Sequence, residues 1–247
     1  MAFINSFEKS GNFLFKHRGQ IPVVLFILAI PVLYYTQYLI LNKIFYQVLI
    51  IVSVFISFVG FIIRSYTIGT TPKGTSGRNT QNQVAESLND TGIYSIVRHP
   101  LYLGNYLMWI GIVLFTFNIY FFIVVSLAFW IYYERIMFAE ELFLENKFGQ
   151  SFKTWSEKVP AFIPCFSKFQ KSKVTFSFKS VLRREYSGVL ATVFGFTYID
   201  LLRIYFYSHQ FEWQRPSVYL LIAAIVLALV LRTIKHQTKW LNEEGRS

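Results

Sequence analysis

Apolar residues in this chain come in long unbroken blocks, not in alternating or 3.6-periodic stripes. Six blocks stand out, at 21–41, 44–68, 101–117, 119–137, 188–206 and 218–233. Helices of about 17–25 apolar residues match the thickness of a bilayer's hydrocarbon core. None of the six shows the regular polar face that a helix in a water-soluble core presents to solvent. The pattern predicts an all-α fold, a polytopic membrane helical bundle of about six transmembrane helices. Only Asn42 and Lys43 link the first two blocks, and residues 117–119 link the third and fourth. Each link predicts a tight antiparallel hairpin.

The polar stretches divide the chain into three parts: a transmembrane hairpin at 1–68, a core at 69–164, and a basic linker with a last helical pair at 165–247. The longest polar stretch between blocks is 69–97, rich in glycine, amides and hydroxyls, Arg78, Asn79, Gln81 and Gln83 among them. Structureless loops of this length are uncommon in compact proteins unless they bind something, and the stretch is read as a lid over a ligand. It ends in TGIYSIVRHPLYLG, 91–104, where Arg98 and His99 stand at the mouth of the third block. Pro100 suits the first helical turn, where its missing N–H has no intrahelical partner. The third block rises roughly 25 Å and the fourth returns by about as much. Glu140 and Glu141 should therefore come back beside Arg98 and His99, forty residues away in sequence. Helix is expected to continue over 138–152 with Gly149 as its stop.

Composition places the chain firmly in the membrane class: 54% of the 247 residues are hydrophobic and 15% charged. The formal net charge of +11 is read as topology. With the N-terminus inside, only Lys43, Arg203 and Arg215 of the 24 lysines and arginines fall outside. The positive-inside rule then puts both termini in the cytoplasm, at the inner membrane of a bacterium or its equivalent. No basic groove with interleaved aromatics is visible, so nucleic acid is not an expected partner. Lys9, Lys16 and Arg18 before the first block mimic a signal peptide, but its length and lack of a small-residue cleavage site mark an anchor. One cysteine, Cys165, excludes an intrachain disulfide, and four scattered histidines show no metal-ligand spacing. Arg64, in the last turn of the second block, is expected to snorkel to the interface. Asp200 and Arg203, three apart on the fifth block, are expected to pair.

Gly92, Tyr94, Arg98-His99-Pro100, Tyr102 and Gly104 fit the pattern G-x-Y-x-x-x-R-H-P-x-Y-x-G. A helical hairpin follows, then Glu140-Glu141, Leu144, Phe148-Gly149 and Val159-Pro160. In this order the residues resemble the isoprenylcysteine carboxyl methyltransferase superfamily, which includes the phospholipid N-methyltransferases. The resemblance covers 69–164. It implies a cofactor pocket at the cytoplasmic face holding S-adenosyl-L-methionine. By position, Tyr94, His99, Pro100, Leu101, Tyr102 and Gly104 would line the cofactor, Glu140 would hold its amino group, and Leu88 and Asn89 would close over it.

Simple chemistry agrees with that assignment. A sulfonium donor with an ammonium and a carboxylate suits a carboxylate partner, basic donors and aromatic walls. Arg98 or His99 could take the donor's carboxylate. Two positions depart from the family pattern. Phe152 and Trp155 stand where two tyrosines are usual, and Ile136, with Arg135 beside it, stands where isoprenylcysteine enzymes carry an acceptor-binding arginine. Arg98, His99 and Arg135 are thus the expected catalytic set. Arg64, Arg78 and Arg135 are the expected contacts of an acceptor that is a lipid or lipid-linked molecule, possible forms being an anionic phosphate headgroup, a prenylcysteine carboxylate or a phospholipid amine. An NADPH-dependent reductase of the sterol reductase type and a non-enzymatic membrane scaffold are the competing readings.

The topology is directly testable. In a Cys165→Ser background, Asn118→Cys and Ser208→Cys should react with a membrane-impermeant thiol reagent from outside the cell, and Ser172→Cys only after permeabilisation. The reverse labelling pattern would overturn the orientation.

Overall fold

The computed structural model describes residues 2–36, 42–75 and 83–246. Among the described residues the fold is all-helical: α1 (Ala2–His17), α2 (Ile21–Tyr35), α3 (Lys43–Gly69), α4 (Pro100–Leu114), α5 (Ile119–Phe148), α6 (Gln150–Ser156), α7 (Phe178–Ser208) and α8 (Pro216–Gln237), with short 3₁₀ turns at Ile93–Ser95 and Phe166–Lys168. Four helices, α3, α5, α7 and α8, are long and apolar enough to cross a membrane. α2 and α4 are apolar but shorter, each 15 residues, or roughly 22 Å at 1.5 Å per residue. The protein is an integral membrane protein on this pattern of apolar helices.

The loops gather at two ends of the bundle. At one end, Asn118 caps α5 by accepting from the Phe121 amide and donates to Thr36 at the end of α2. At the other lie the start of α4, the end of α5 and the segments around Gly69 and Ser177, joined by the Ser177 amide donating to the Gly69 carbonyl. Between them, Ala29 and Leu33 of α2, Ile110, Ile112 and Val113 of α4, Val125 of α5 and Ile199 of α7 form a buried apolar core.

α3 and α4 pack backbone against backbone. A Cβ on Gly60 would lie 2.6 Å from the Gly104 carbonyl, and one on Gly104 would lie 2.5 Å from Arg64 Cγ. One helical turn or two further on, Ser57 donates to the Met108 carbonyl. Small residues let membrane helices approach where water supplies no hydrophobic drive.

Three features differ from expectation. Residues 2–17, expected only as a basic lead-in, form α1, which lies against α5: Phe7 packs on Phe138, and Gly11 admits the Arg135 carbonyl where any Cβ would clash. Arg64 does not reach the interface. It donates bidentately to Glu185 of α7 (2.6 and 2.8 Å) and to Asn105 of α4 (2.6 Å), because a carboxylate inside the bundle outcompetes a long reach to water. Asp200, close enough to Arg203 to feel its charge, also accepts from Arg215 (2.7 and 3.1 Å) and Ser217, which were not expected. Arg203 also lies over the rings of Phe115 and Phe117.

Residues 238–246 fold back across the cavity end. Leu241 is buried, Ser177 bonds Glu243, and the Gly245 carbonyl accepts from the Lys73 amide. Buried Arg246 donates to the carbonyls of Gly69, Thr71 and Thr175. Arg246→Ala removes a charged donor from three carbonyls, worth about 2 kcal/mol. The expected readout is a fall of roughly 4–8 °C in the apparent melting temperature in detergent, with faster proteolysis at 69–75.

Candidate functional site

The site is built on the approach to α4. Gly92 pairs with Gln170. The Arg98 and His99 amides donate to the carbonyls of Pro160 and Ala161 (2.9 and 3.1 Å), and the Cys165 amide donates to Ile96 (2.9 Å). The indole of Trp155 donates to the Tyr94 carbonyl (3.0 Å). Residues 155–165, rich in prolines and therefore poor in competing helix, thus strap the 92–99 segment in place. Pro100 opens α4 at its first position and His99 precedes it as the N-cap, with its imidazole turned away from the helix N–H groups. Both ring nitrogens are left to the glutamates of α5.

The α4–α5 hairpin delivers the two glutamates where the helix lengths imply. Glu141 accepts from Arg98 Nε at 2.8 Å and Nη2 at 3.3 Å, and lies 2.8 Å from His99 Nε2. Glu140 lies 3.5 Å from His99 Nδ1. Arg98 Nη1 donates to the Ser156 and Val159 carbonyls. Every guanidinium nitrogen of Arg98 is therefore engaged, and the residue works as a clamp between α5 and the strap. The His99 ring stacks on Tyr102, centroids 5.6 Å apart. Burial alone would lower the His99 pKa, but hydrogen bonds to Glu140 and Glu141 and the charges of both outweigh it, and the net direction is upward. With both ring nitrogens facing carboxylates, the imidazolium is the form that donates to both.

A cavity of about 400 Å³ opens on this cluster. Of the residues singled out in the sequence, Tyr94, Arg98, His99, Pro100, Leu101, Tyr102 and Glu140 line it, as do Leu88 and Asn89 from the polar stretch and Arg64 from α3. Gly104 does not; it faces α3, where its lack of a side chain allows the close helix contact. Arg135 does not line it either; its guanidinium sits over the Phe7 ring, 3.4 Å from the centroid, on the side facing α1. Arg78, Asn79 and Gln81 lie outside the described residues.

The walls also include Trp155, singled out in the sequence only as a departure from the family pattern, and residues that sequence reasoning passed over: Phe15 and Arg18, Tyr132 and Tyr133, and Arg184 and Glu185. Glu141 carried a signal as the twin of Glu140, expected with it beside Arg98 and His99; only 26% of its side chain is exposed. Glu185 carried one too, as the only acid between Glu157 and Asp200 in a basic stretch. Arg18 carried none, since lysines and arginines before a span are ordinary. The cavity runs along α4 from Pro100 to Trp109, about 13 Å of helix, so it passes from a polar mouth to the depth of the apolar core. Glu140 offers a carboxylate among aromatic rings, an arrangement suited to a ligand's cationic group.

The profile of the phospholipid methyltransferase family matches residues 44–151. The protein-S-isoprenylcysteine O-methyltransferase of Schizosaccharomyces pombe is 28% identical over 114 residues, covering 44% of this chain and 48% of that protein. The nickel-cobalt-cadmium resistance protein NccN of Alcaligenes xylosoxydans xylosoxydans is 33% identical over 95 residues, 38% of this chain and 42% of that protein. The cobalt-zinc-cadmium resistance protein CzcN of Cupriavidus metallidurans matches equally well over 95 residues, 41% of its length. The matches thus span less than half the length of these relatives. No solved structure matches.

The carboxylate pair around His99 makes a pH prediction. A folded-state pKa above the ordinary value means a stabilising contribution that is complete below about pH 6.5 and is lost as pH rises through the raised value. The difference in melting temperature between the wild type and His99→Gln should be largest below pH 6.5 and shrink above it. Melting curves in detergent across that range check this, and a pH-independent difference would contradict it.

Proposed function

We propose that this chain, whose central segment matches the phospholipid methyltransferase family and resembles an isoprenylcysteine methyltransferase, is an S-adenosyl-L-methionine-dependent methyltransferase of a lipid or lipid-linked acceptor. In this reading all six apolar helices cross the bilayer, α2 and α4 near its thinnest path, with the cavity end and both termini on the cytoplasmic side. The observation that carries the reading is one continuous cavity joining the Glu140–His99–Glu141 cluster at its mouth to Trp109 and Phe129 at membrane depth.

The residues fit such a donor. Glu140 is the carboxylate for its ammonium, held in direction by His99 and by its neighbour Glu141. Tyr94, Tyr102 and Trp155 present ring surface to a sulfonium or an adenine, and Asn89 and Ser87 add polar groups from the stretch over the mouth. When bound, S-adenosylmethionine supplies a methyl group already activated for transfer. The chain's own task is alignment and exclusion of water, which can lower a barrier by several kcal/mol. The apolar depth of the cavity would take the hydrocarbon part of the acceptor, leaving its polar end near the mouth.

The donor half of this proposal is testable by binding. Glu140→Gln keeps the shape and removes the charge, so affinity for S-adenosylmethionine should fall by about 10–100-fold, the worth of one charge-assisted hydrogen bond. Calorimetry on the purified variant measures it; unchanged affinity would sink the assignment of Glu140.

A further inference from the structure

Beyond its mouth the cavity has a second polar station. Arg64 of α3, Asn105 of α4, Tyr133 of α5 and Glu185 of α7 all line it. Glu140 belongs to the mouth and lies roughly 10 Å along α5 from Tyr133, two helical turns away. The rings of Tyr102 and Tyr133, centroids 4.8 Å apart, bridge the two stations. Phe129 stacks on Tyr133 at 4.1 Å and helps fix its ring.

The hydrogen bonds of this station run in one direction. Arg64 donates through Nε and Nη2 to Glu185 and through Nη1 to Asn105 Oδ1. A guanidinium has no acceptor to offer, so Asn105 must turn its oxygen to Arg64 and its amide N–H groups elsewhere. Asn105 Nδ2 donates to Tyr133 Oη at 3.4 Å. Tyr133 is the acceptor in that bond, and its own proton is left over. Among the described residues no group accepts that proton. Tyr133 is only 8% exposed, and buried polar groups in native proteins are almost always satisfied. The cavity it lines has room for the missing partner. A chain of donors that begins at a cation ends in a strengthened donor, because each bond polarises the next. Such a terminus suits an oxyanion. It suits an ammonium poorly, since that group is itself only a donor.

Extending the methyltransferase reading, on which this step rests, we propose that the Tyr133 hydroxyl binds the acceptor, donating a hydrogen bond to a carboxylate or phosphate oxygen at its polar end. Asn105 and Arg64 are positioning residues that leave that proton to the cavity, and Glu185 anchors Arg64. The acceptor's hydrocarbon part runs deeper, toward Trp109 and Phe129. Arg64, expected to meet an acceptor directly, has all three guanidinium nitrogens engaged and acts through Asn105. Glu185 lies outside residues 44–151, so α7 takes part in aiming a hydroxyl that the matched segment carries.

The test is equilibrium binding to the full-length protein in a neutral detergent, with three probes of equal chain length: dodecanoate, dodecyl phosphate and dodecylamine. S-adenosylmethionine is titrated separately. At least one anionic probe should bind saturably and about tenfold more tightly than dodecylamine. Tyr133→Phe removes only the hydroxyl; it should weaken that probe about tenfold and hold S-adenosylmethionine within about twofold. Asn105→Ala should weaken the probe about threefold in the wild type and add nothing in the Tyr133→Phe background, because the amide acts through the hydroxyl. A packing role would weaken binding equally in both backgrounds and would refute the relay. Dependence on Tyr133 with dodecanoate identifies a carboxylate acceptor, and with dodecyl phosphate a phosphate; either supports the proposal. Equal binding of dodecylamine, or anionic probes that bind Tyr133→Phe as tightly as wild type, would overturn it. Loss of S-adenosylmethionine binding from a folded Tyr133→Phe would give the hydroxyl to the donor and overturn it too. If Tyr133→Phe does not fold, the preference over dodecylamine and its loss in Asn105→Ala decide. A wild type that binds an anionic probe but no S-adenosylmethionine would refute the methyltransferase reading and leave the subsite standing.

Discussion

One carboxylate oxygen organises the cavity end. Glu141 Oε1 lies 2.8 Å from both Arg98 Nε and His99 Nε2, and the same guanidinium holds the carbonyls of residues 156 and 159. Three pieces of chain far apart in sequence meet there: the approach to α4, the cavity-end turn of α5, and the strap after α6. A guanidinium and an imidazole at this depth would each be costly to bury alone. Together with one carboxylate they are satisfied, and the geometry has a further effect. Adjacent residues on a helix point about 100° apart, so fixing Glu141 against Arg98 fixes the direction of Glu140. Glu140 then lines the cavity beside His99 Nδ1.

The parts legible in the sequence were those set by lengths and by unbroken hydrophobicity. A very short link at residues 117–119, a helix rise of 1.5 Å per residue and blocks of comparable length were enough to return Glu140 and Glu141 to Arg98 and His99. Gly149 ends α5 with positive φ, a conformation glycine adopts without steric cost. What escaped was whatever depends on pairing across the bundle. Arg64 read as a snorkelling residue because its partner, Glu185, is 121 residues away. Arg203 and Asp200 read as a pair by spacing, but spacing did not show that Asp200 also takes Arg215 at the start of α8, or that the rings of Phe115 and Phe117 after α4 cover Arg203. In α1, apolar residues at 3, 7 and 14 with Gly11 between them do follow helical spacing. The signal is weak beside blocks of twenty apolar residues, and Phe3, Ile4 and Phe13 remain exposed.

The last helical pair sits outside the matched segment, yet α7 is tied to the core at both ends. At the cavity end, Glu185 receives two hydrogen bonds from Arg64 of α3. Fifteen residues on, about 22 Å along the helix, Asp200 and Arg203 join it to α8 and to the rings of Phe115 and Phe117. Tyr198 adds a bond to the Phe26 carbonyl of α2. Ionisable groups inside a membrane protein face partners or function, and those of α7 do so at its two extremities with an apolar stretch between. A helix fixed at two points cannot slide or rotate without breaking a charged contact. The wall it gives the cavity is therefore preformed. A preformed wall spares a ligand the entropy of ordering it, so the shape this wall gives the cavity is set by position, not by adaptation.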